Sequence, residues 1–598
     1  MEGIPARPRE PERVPRNLRG MYSGMAARYG SDLIVDLMAR YGIAHAALNP
    51  GSTFRGLHDS IVNYGGNRPE IIECPHEEIA VGIAHGYAKV TGKPMAAIVH
   101  DVVGLLHASM AVYYAYLDRV PVLLMGATGP VDPARRRPHI DWIHTAVTQG
   151  EAVREFTKWE CQPAGAEDVV DSFARAYRIA TTDPPGPVYL CYDVGFQEDP
   201  LAIEVPLPSP ERLSPRRLHP DPGALGDLAG WLVSAEQPVL LVGSLRSEAV
   251  ASLVSLAEFL GAAVLNRGNR FGFPNVHPLD LTGAAGLLES ADLILALDVR
   301  DLYGAVARVD RLTRRAAPVI RAGCRLAEIG YGDLGIRSWS QEFQKLQPVD
   351  LSILGDTGAA LGALVAACRE RAGAADLRRF AGRAERHAVA HAGLRAGWAA
   401  AARSLAAEEP VATACLAQEV WEGIRGADWV LTANTLGDWA RRLWTFDRPD
   451  RHPGRSLGTA TQIGISLGVA LAHRGSGRLI VGLQPDGDLL YDPGALWVAA
   501  HHRIPILLVM CNNRAYYNDW EHQIMIARER GRDEQTAYVG MEIDRPAPDF
   551  AMLARSFGWH AEGPIVRPGD VRAAVVRARD IVLKTGQPAL VDVVTQFR

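Results

Sequence analysis

The stretch Leu479-Ile480-Val481-Gly482-Leu483-Gln484-Pro485-Asp486-Gly487-Asp488 decides how this chain is read. A run of strand character ends in an acidic turn. A helix pattern follows at Ala495–Ala500, and the apolar run Ile504–Cys511 then ends at Asn512-Asn513. Asp486 and Asn513 are 27 residues apart, the length of one strand–helix–strand step. Adjacent parallel strands would then present a carboxylate and a carboxamide side by side at their C-terminal ends, where open α/β sheets bind ligands. One carboxylate, one amide oxygen, a nearby backbone carbonyl and two phosphate oxygens suit an octahedral Mg²⁺.

Working outward, the same alternation recurs. The third unit, residues 406–598, also holds strand patterns at Trp429–Leu431 and Ala589–Val594. The first unit, residues 29–200, alternates Met95–Val99 (strand), Leu106–Tyr116 (helix), Val120–Met125 and Val188–Tyr192 (strands). Between them, residues 223–372 carry Pro238–Val242, Ala262–Leu265 and Leu293–Leu297. A Pro-rich linker fills 201–222, an Ala- and Arg-rich helix pattern fills 373–405, and a Pro- and Arg-rich arm covers 1–28. This pattern predicts the α/β class, with three doubly wound parallel-sheet domains.

Composition agrees with a globular chain: 598 residues, 48% hydrophobic, 22% charged, net charge −5. No apolar run approaches the ~18 residues that span a bilayer, and the charge balance gives no reason to expect a nucleic-acid partner. Seven dispersed cysteines with no CxxC spacing signal neither a zinc ribbon nor a disulfide framework, which suits a cytoplasmic protein.

The AspGly…AsnAsn pairing resembles the cofactor motif of the thiamine-diphosphate-dependent enzymes of the acetolactate synthase, pyruvate decarboxylase and benzoylformate decarboxylase superfamily. By that resemblance Asp486, Asn513 and the Ala515 carbonyl hold Mg²⁺, and the metal anchors thiamine diphosphate. Gly487 and Asp488 meet the phosphate through their backbone, and Tyr516 borders the cofactor. Pro485 stands where the family usually has glycine. Cys74-Pro75-His76-Glu77 followed by Gly82 resembles the segment whose glutamate hydrogen-bonds a pyrimidine nitrogen of the cofactor, which assigns that role to Glu77. Gly458–Gly468 resembles the segment that bends the cofactor, with Ile463 as the wedge. Asn434 and Thr435 resemble a loop touching diphosphate and pyrimidine.

On the substrate side, Asn49-Pro50-Gly51-Ser52 resembles the benzoylformate decarboxylase turn whose serine contacts substrate, and His100 falls where that enzyme carries a catalytic histidine. An imidazole there can move protons near neutral pH. His76 and His107 lie near the expected pocket as further substrate-facing candidates. His144-Thr145-Ala146 and His100-Asp101-Val102 replace segments usual in acetolactate synthases, so that likeness reaches the fold more firmly than the activity.

The resemblance implies a lyase or transferase acting on a 2-oxo acid, as a decarboxylase or, with a second carbonyl acceptor, a carboligase. FAD is not indicated. It further implies a homodimer or homotetramer with active sites at the subunit interface, because one chain is expected not to bring Glu77 and Asp486 to a single cofactor. Two rivals keep the cofactor, a 2-hydroxyacyl-CoA lyase and a cyclic-diketone hydrolase. A CoA substrate calls for a basic groove in the middle unit, and no such cluster is evident in the sequence. A rival of another class, motivated by Pro485, is a catalytically silent cofactor-binding or regulatory subunit.

Overall fold

The computed structural model describes residues 27–139, 144–310, 315–338, 341–454 and 458–597. All but the last two residues of the expected N-terminal arm lie outside these.

Three parallel sheets carry the chain. The first is built from β1 (His45–Leu48), β2 (Glu70–Glu73), β3 (Met95–Ile98), β4 (Val122–Thr128), β5 (Glu160–Cys161) and β6 (Val188–Asp193), in the order β2-β1-β3-β4-β6-β5. The middle sheet uses β7 (Pro238–Val242), β8 (Ala263–Asn266) and β9 (Leu293–Leu297). After a small antiparallel pair, β10 (Ala307–Val309) with β11 (Ala316–Pro318), it is completed by β12 (Arg325–Gly330) and β13 (Leu351–Leu354), in the order β13-β12-β9-β7-β8. The third comprises β14 (Trp429–Ala433), β15 (Leu479–Pro485), β16 (Leu507–Asn512), β17 (His560–Ile565) and β18 (Ala589–Val594), in the order β14-β15-β16-β18-β17. The central strands β3, β4, β7, β9, β16 and β18 are buried along their whole length, as a sheet covered by helices on both faces requires.

The helices include α1 (Glu77–Thr91), α2 (Asp101–Leu117), the 31-residue connecting α3 (Ala374–Ser404), α4 (Thr461–Ala472), the short α5 (Asp486–Leu489), α6 (Ala495–His501) and α7 (Tyr517–Glu529). None of the described helices is long and apolar enough to cross a membrane.

The first and third units meet where α1 lies against α4. Each helix carries two glycines four residues apart, Gly82 and Gly86 on α1, Gly464 and Gly468 on α4. With no side chains between them the backbones touch: a Cβ on Gly468 would stand 2.1 Å from the Ile83 carbonyl oxygen. Around this seam Ile79, Ala80 and Ile83 share one apolar cluster with Ile463, Leu467, Leu489 and Leu496. The first and third units therefore pack against each other, and the paired glycines allow the close backbone approach between the helices.

Candidate active site

β15 and β16 run in register to Pro485 opposite Cys511, so Asp486 and the Asn512-Asn513 pair emerge from neighbouring strands at one edge. Pro485 sits at the last position of β15 with φ −75°, the angle its ring imposes, and the pairing with β14 has already ended at Gly482. Proline at the family's glycine position is accommodated there without strain.

Asp486 is 3% exposed. Its Oδ1 accepts a hydrogen bond from the Gly487 N–H at 2.9 Å, while its Oδ2 is buried without a hydrogen-bond partner. Burial raises its pKa to about 6, opposed by the N–H groups of Gly487, Arg514 and Ala515. Asn513 Oδ1 accepts from the Ala515 N–H at 3.0 Å, and Arg514 between them has φ +57°, which folds Ala515 back toward Asp486. A buried carboxylate oxygen with no donor, beside an amide oxygen and a reversed backbone, fits a hard divalent cation.

The rim is built by α4 and α5. Thr459 and Ala460, just before α4, both have positive φ, a strained approach held by two ties. The Thr459 hydroxyl bonds Tyr114 Oη at 2.9 Å. The Asp488 carboxylate accepts from Gln484 Nε2 at 2.9 Å and from the Ala460 and Gln462 N–H groups. The Asp488 side chain thus anchors α4. Ile463 is fully buried in the shared cluster. The Tyr516 ring lies over Gly487, where a Cβ would come within 2.5 Å of Cε1. Asn434 Oδ1 is buried without a partner, whereas the Thr435 hydroxyl donates to the Leu483 carbonyl at 3.0 Å.

The first unit supplies the opposite wall. Glu77 opens α1 and is 6% exposed. His107, one turn and a half into α2, places Nδ1 3.1 Å from Glu77 Oε2. His76 caps α1 by accepting the Glu78 N–H on Nδ1, and its ring stacks on His107 with centroids 5.1 Å apart. Gly104 of α2 lies between Glu77 and His100: a Cβ there would be 3.1 Å from Glu77 Oε1 and 3.3 Å from His100 Cβ. The turn expected to carry substrate packs on His100, whose Nδ1 is 2.8 Å from Thr53 Oγ1, next to Ser52.

Three contributors were not legible in the sequence. Asp492, buried, faces His76 Nδ1 at 3.8 Å. Together with burial and Asp488 it pushes Glu78 up to about 7, so Glu78 is more than an ordinary first-turn acid. Asp592, a lone acid in the apolar strand β18, bonds Asn512 Nδ2 at 3.0 Å beneath the metal motif; an isolated aspartate inside a strand was the available signal. His144 stands edge-on to His100 at 5.6 Å.

A second feature is a groove of mixed charge whose arginines the sequence did not bring together. A cavity of about 780 Å³ opens between the first and middle units, at the C-terminal ends of β7, β9 and β12. Arg119, Arg270 and Arg300 converge on it. Burial, then the neighbouring Arg119, lowers Arg300 to about 10, and Arg270 Nε is buried without a partner. Acids line it too: Asp118, which is engaged by Lys89 and His85, and also Glu248, Asp298, Glu328 and Asp333. The arginines come from separate segments, so linear spacing hides them.

Both site-bearing units match known protein families. Residues 28–151 match the family described as thiamine pyrophosphate enzyme, N-terminal TPP binding domain, and residues 435–593 match its C-terminal TPP binding domain. The chain is 25% identical to a probable chloroplastic acetolactate synthase 2 of Oryza sativa, over 98% of this chain and 85% of that one. It is 24% identical to a benzoylformate decarboxylase of Pseudomonas aeruginosa, over 94% and 98%. The solved benzoylformate decarboxylase of Polynucleobacter necessarius superposes with a TM-score of 0.73 at 18% identity, covering 95% of this chain and 99% of that one.

Proposed function

The chain belongs to the thiamine-diphosphate-dependent enzyme superfamily, and from that premise we propose that it breaks or forms a carbon–carbon bond beside the carbonyl of a 2-oxo acid, with Mg²⁺ as the anchoring ion. The observation that carries the reading is the buried, donor-less Asp486 Oδ2 in the same chain, and on the same α1–α4 seam, as the buried Glu77. Asp486, Asn513 and the Ala515 carbonyl would hold the ion. Gly487, Asp488, Asn434, Thr435 and Tyr516 would border the diphosphate end, and Ile463 would set the bend. When bound, the cofactor supplies a thiazolium that delocalises the electron pair left by the departing group.

The chain's own residues do the rest. Glu77, shielded from water, holds or releases a proton at its carboxylate where the pyrimidine nitrogen docks. His100, held through Nδ1 by Thr53, would give or take a proton at the reacting carbon or oxygen. Ser52 orients the substrate carboxylate, and His76 narrows the opening. Protonation of the carbon that CO₂ has left would make the enzyme a decarboxylase; its capture by a second carbonyl would make it a carboligase. The resemblance also supports a cytoplasmic homodimer or homotetramer.

The arginine-lined cavity favours a second reading, a lyase whose substrate carries a phosphorylated handle such as CoA; its volume is ample for such a ligand. Calorimetry with thiamine diphosphate and excess Mg²⁺, followed by CO₂ release over a panel of 2-oxo acids, separates the readings. Binding with CO₂ release supports the first. Turnover without CO₂ supports the CoA lyase or the diketone hydrolase. Binding without any turnover supports a silent subunit, and no binding removes the cofactor assignment.

A further inference from the structure

Glu77 presents a chemical problem. It is almost wholly buried, yet the role proposed for it requires its carboxylate to gain and lose a proton in each cycle. Its two oxygens are in different surroundings. Oε1 faces Gly104, where the missing side chain keeps space open beside it. Oε2 meets His107 Nδ1 at 3.1 Å. The His107 side chain is 51% exposed, against 7% for Glu77. One imidazole therefore touches the buried acid at one nitrogen while half its surface remains accessible. Its orientation is fixed from outside α2 as well: the His76 ring stacks on it, tilted by 17°.

We propose that His107 is the positioning and proton-relay partner of Glu77, holding Oε2 so that Oε1 is left for the cofactor's ring nitrogen, and connecting the buried carboxyl to water. This rests on the assignment of Glu77 to cofactor activation. The relay balances. In the resting state Nδ1–H donates to the Glu77 carboxylate. To deliver a proton, water protonates Nε2 while the Nδ1 proton passes to Oε2, leaving a neutral imidazole and a neutral acid; rotation of the carboxyl about its Cγ–Cδ bond then turns that O–H toward the ring nitrogen. To withdraw it, the Oε2 proton returns to Nδ1 and Nε2 releases one to water. The charged and titratable groups facing His107 are Glu77 on α1 and His76 before it; Glu78 and Asp492 stand behind His76. An imidazole suits a path that must run both ways near neutral pH. A serine or an amide at this position would hold the carboxylate without carrying a charge.

The test is hydrogen–deuterium exchange at the reactive ring carbon of thiamine diphosphate bound with Mg²⁺, read by acid quench and proton NMR, which is independent of any substrate. His107→Ala should slow exchange at least about 10-fold, a loss smaller than or near the ~100-fold of a direct general acid or base. Added imidazole should restore part of it, and cofactor affinity should change by less than about threefold. His107→Asn, which keeps a donor but cannot relay, should stay slow and lose the dependence of exchange on pH through the neutral range. Wild-type exchange in His107→Ala, or full recovery in His107→Asn, overturns the relay. Glu77→Gln is the control for the underlying assignment: it should abolish exchange, and unchanged exchange there would sink the role of Glu77 itself, whatever His107 does. Should His107→Ala fail to fold, the Asn variant and a Gln variant read the same contrast.

Discussion

Gly86 of α1 has no room for a side chain: a Cβ would stand 2.0 Å from the carbonyl oxygen of Ile465 on α4. The obstructing atom is backbone, so it cannot rotate away. Gly86→Ala is therefore expected to destabilise the chain by about 1–3 kcal/mol or more, and Gly86→Val to abolish folding of the joined units. Gly230, which has nothing within 4 Å in its own helix, is the control; Gly230→Ala should stabilise by about 0.5–1 kcal/mol. Urea unfolding midpoints decide both.

Asp486→Asn keeps the size of the side chain and removes the charge from the buried oxygen that lacks a donor. The variant should fold, with native far-UV circular dichroism, and bind no thiamine diphosphate in calorimetry at any Mg²⁺ concentration. Wild-type affinity would remove Asp486 from the metal set.

Pro485→Gly tests whether proline weakens the motif. The observed φ already suits the ring, so cofactor affinity should move less than about threefold. Stability should fall by about 0.4–1 kcal/mol through the added freedom of the unfolded chain. A tenfold gain in affinity would instead support the silent-subunit reading.

His502 makes one pH-dependent contribution to the first–third contact. The Glu73 N–H donates to its Nε2 at 2.8 Å, which requires the neutral ring. Burial, then the neighbouring His501, lowers its pKa from 6.5 to about 4. Because the folded value is depressed, the stabilisation is present above pH 6.5 and is lost as pH falls from there through 4. Full linkage gives about 3 kcal/mol, and partial exposure reduces it to on the order of 1 kcal/mol. Thermal unfolding of the wild type against His502→Gln between pH 7 and 4 should show this loss as the difference between the two profiles.

The packing of α1 on α4 makes a prediction about mixed assemblies. Glu77→Gln and Asp486→Asn chains, refolded together, should show no activity, because every chain carries one broken half. Recovered activity would place the α1–α4 contact between chains.

What could be read in advance follows a physical pattern. Asp486 with Asn513, and Glu77 ahead of Gly82, are set by the length of one β/α step or one helix turn, so spacing reveals them. The Glu77–His107 bond joins residues 30 apart on different helices, and its existence depends on how α1 and α2 cross. Asp492 and His76 are farther apart still, and Arg119, Arg270 and Arg300 meet only because two sheets abut. Proline at 485 looked like a defect in the motif until its place at the very end of β15 was known.

The glycine seam acts as a ruler. Where two helices are held apart by side chains, each core substitution resets their spacing slightly. Main chain resting on main chain has no such adjustment, so the span from the acid to the ion-binding turn is insulated from drift in the surrounding apolar residues. On the proposed reading, selectivity is then free to diversify on the loops bearing Ser52, His100 and Tyr516 while the spacing of the two helices stays constant.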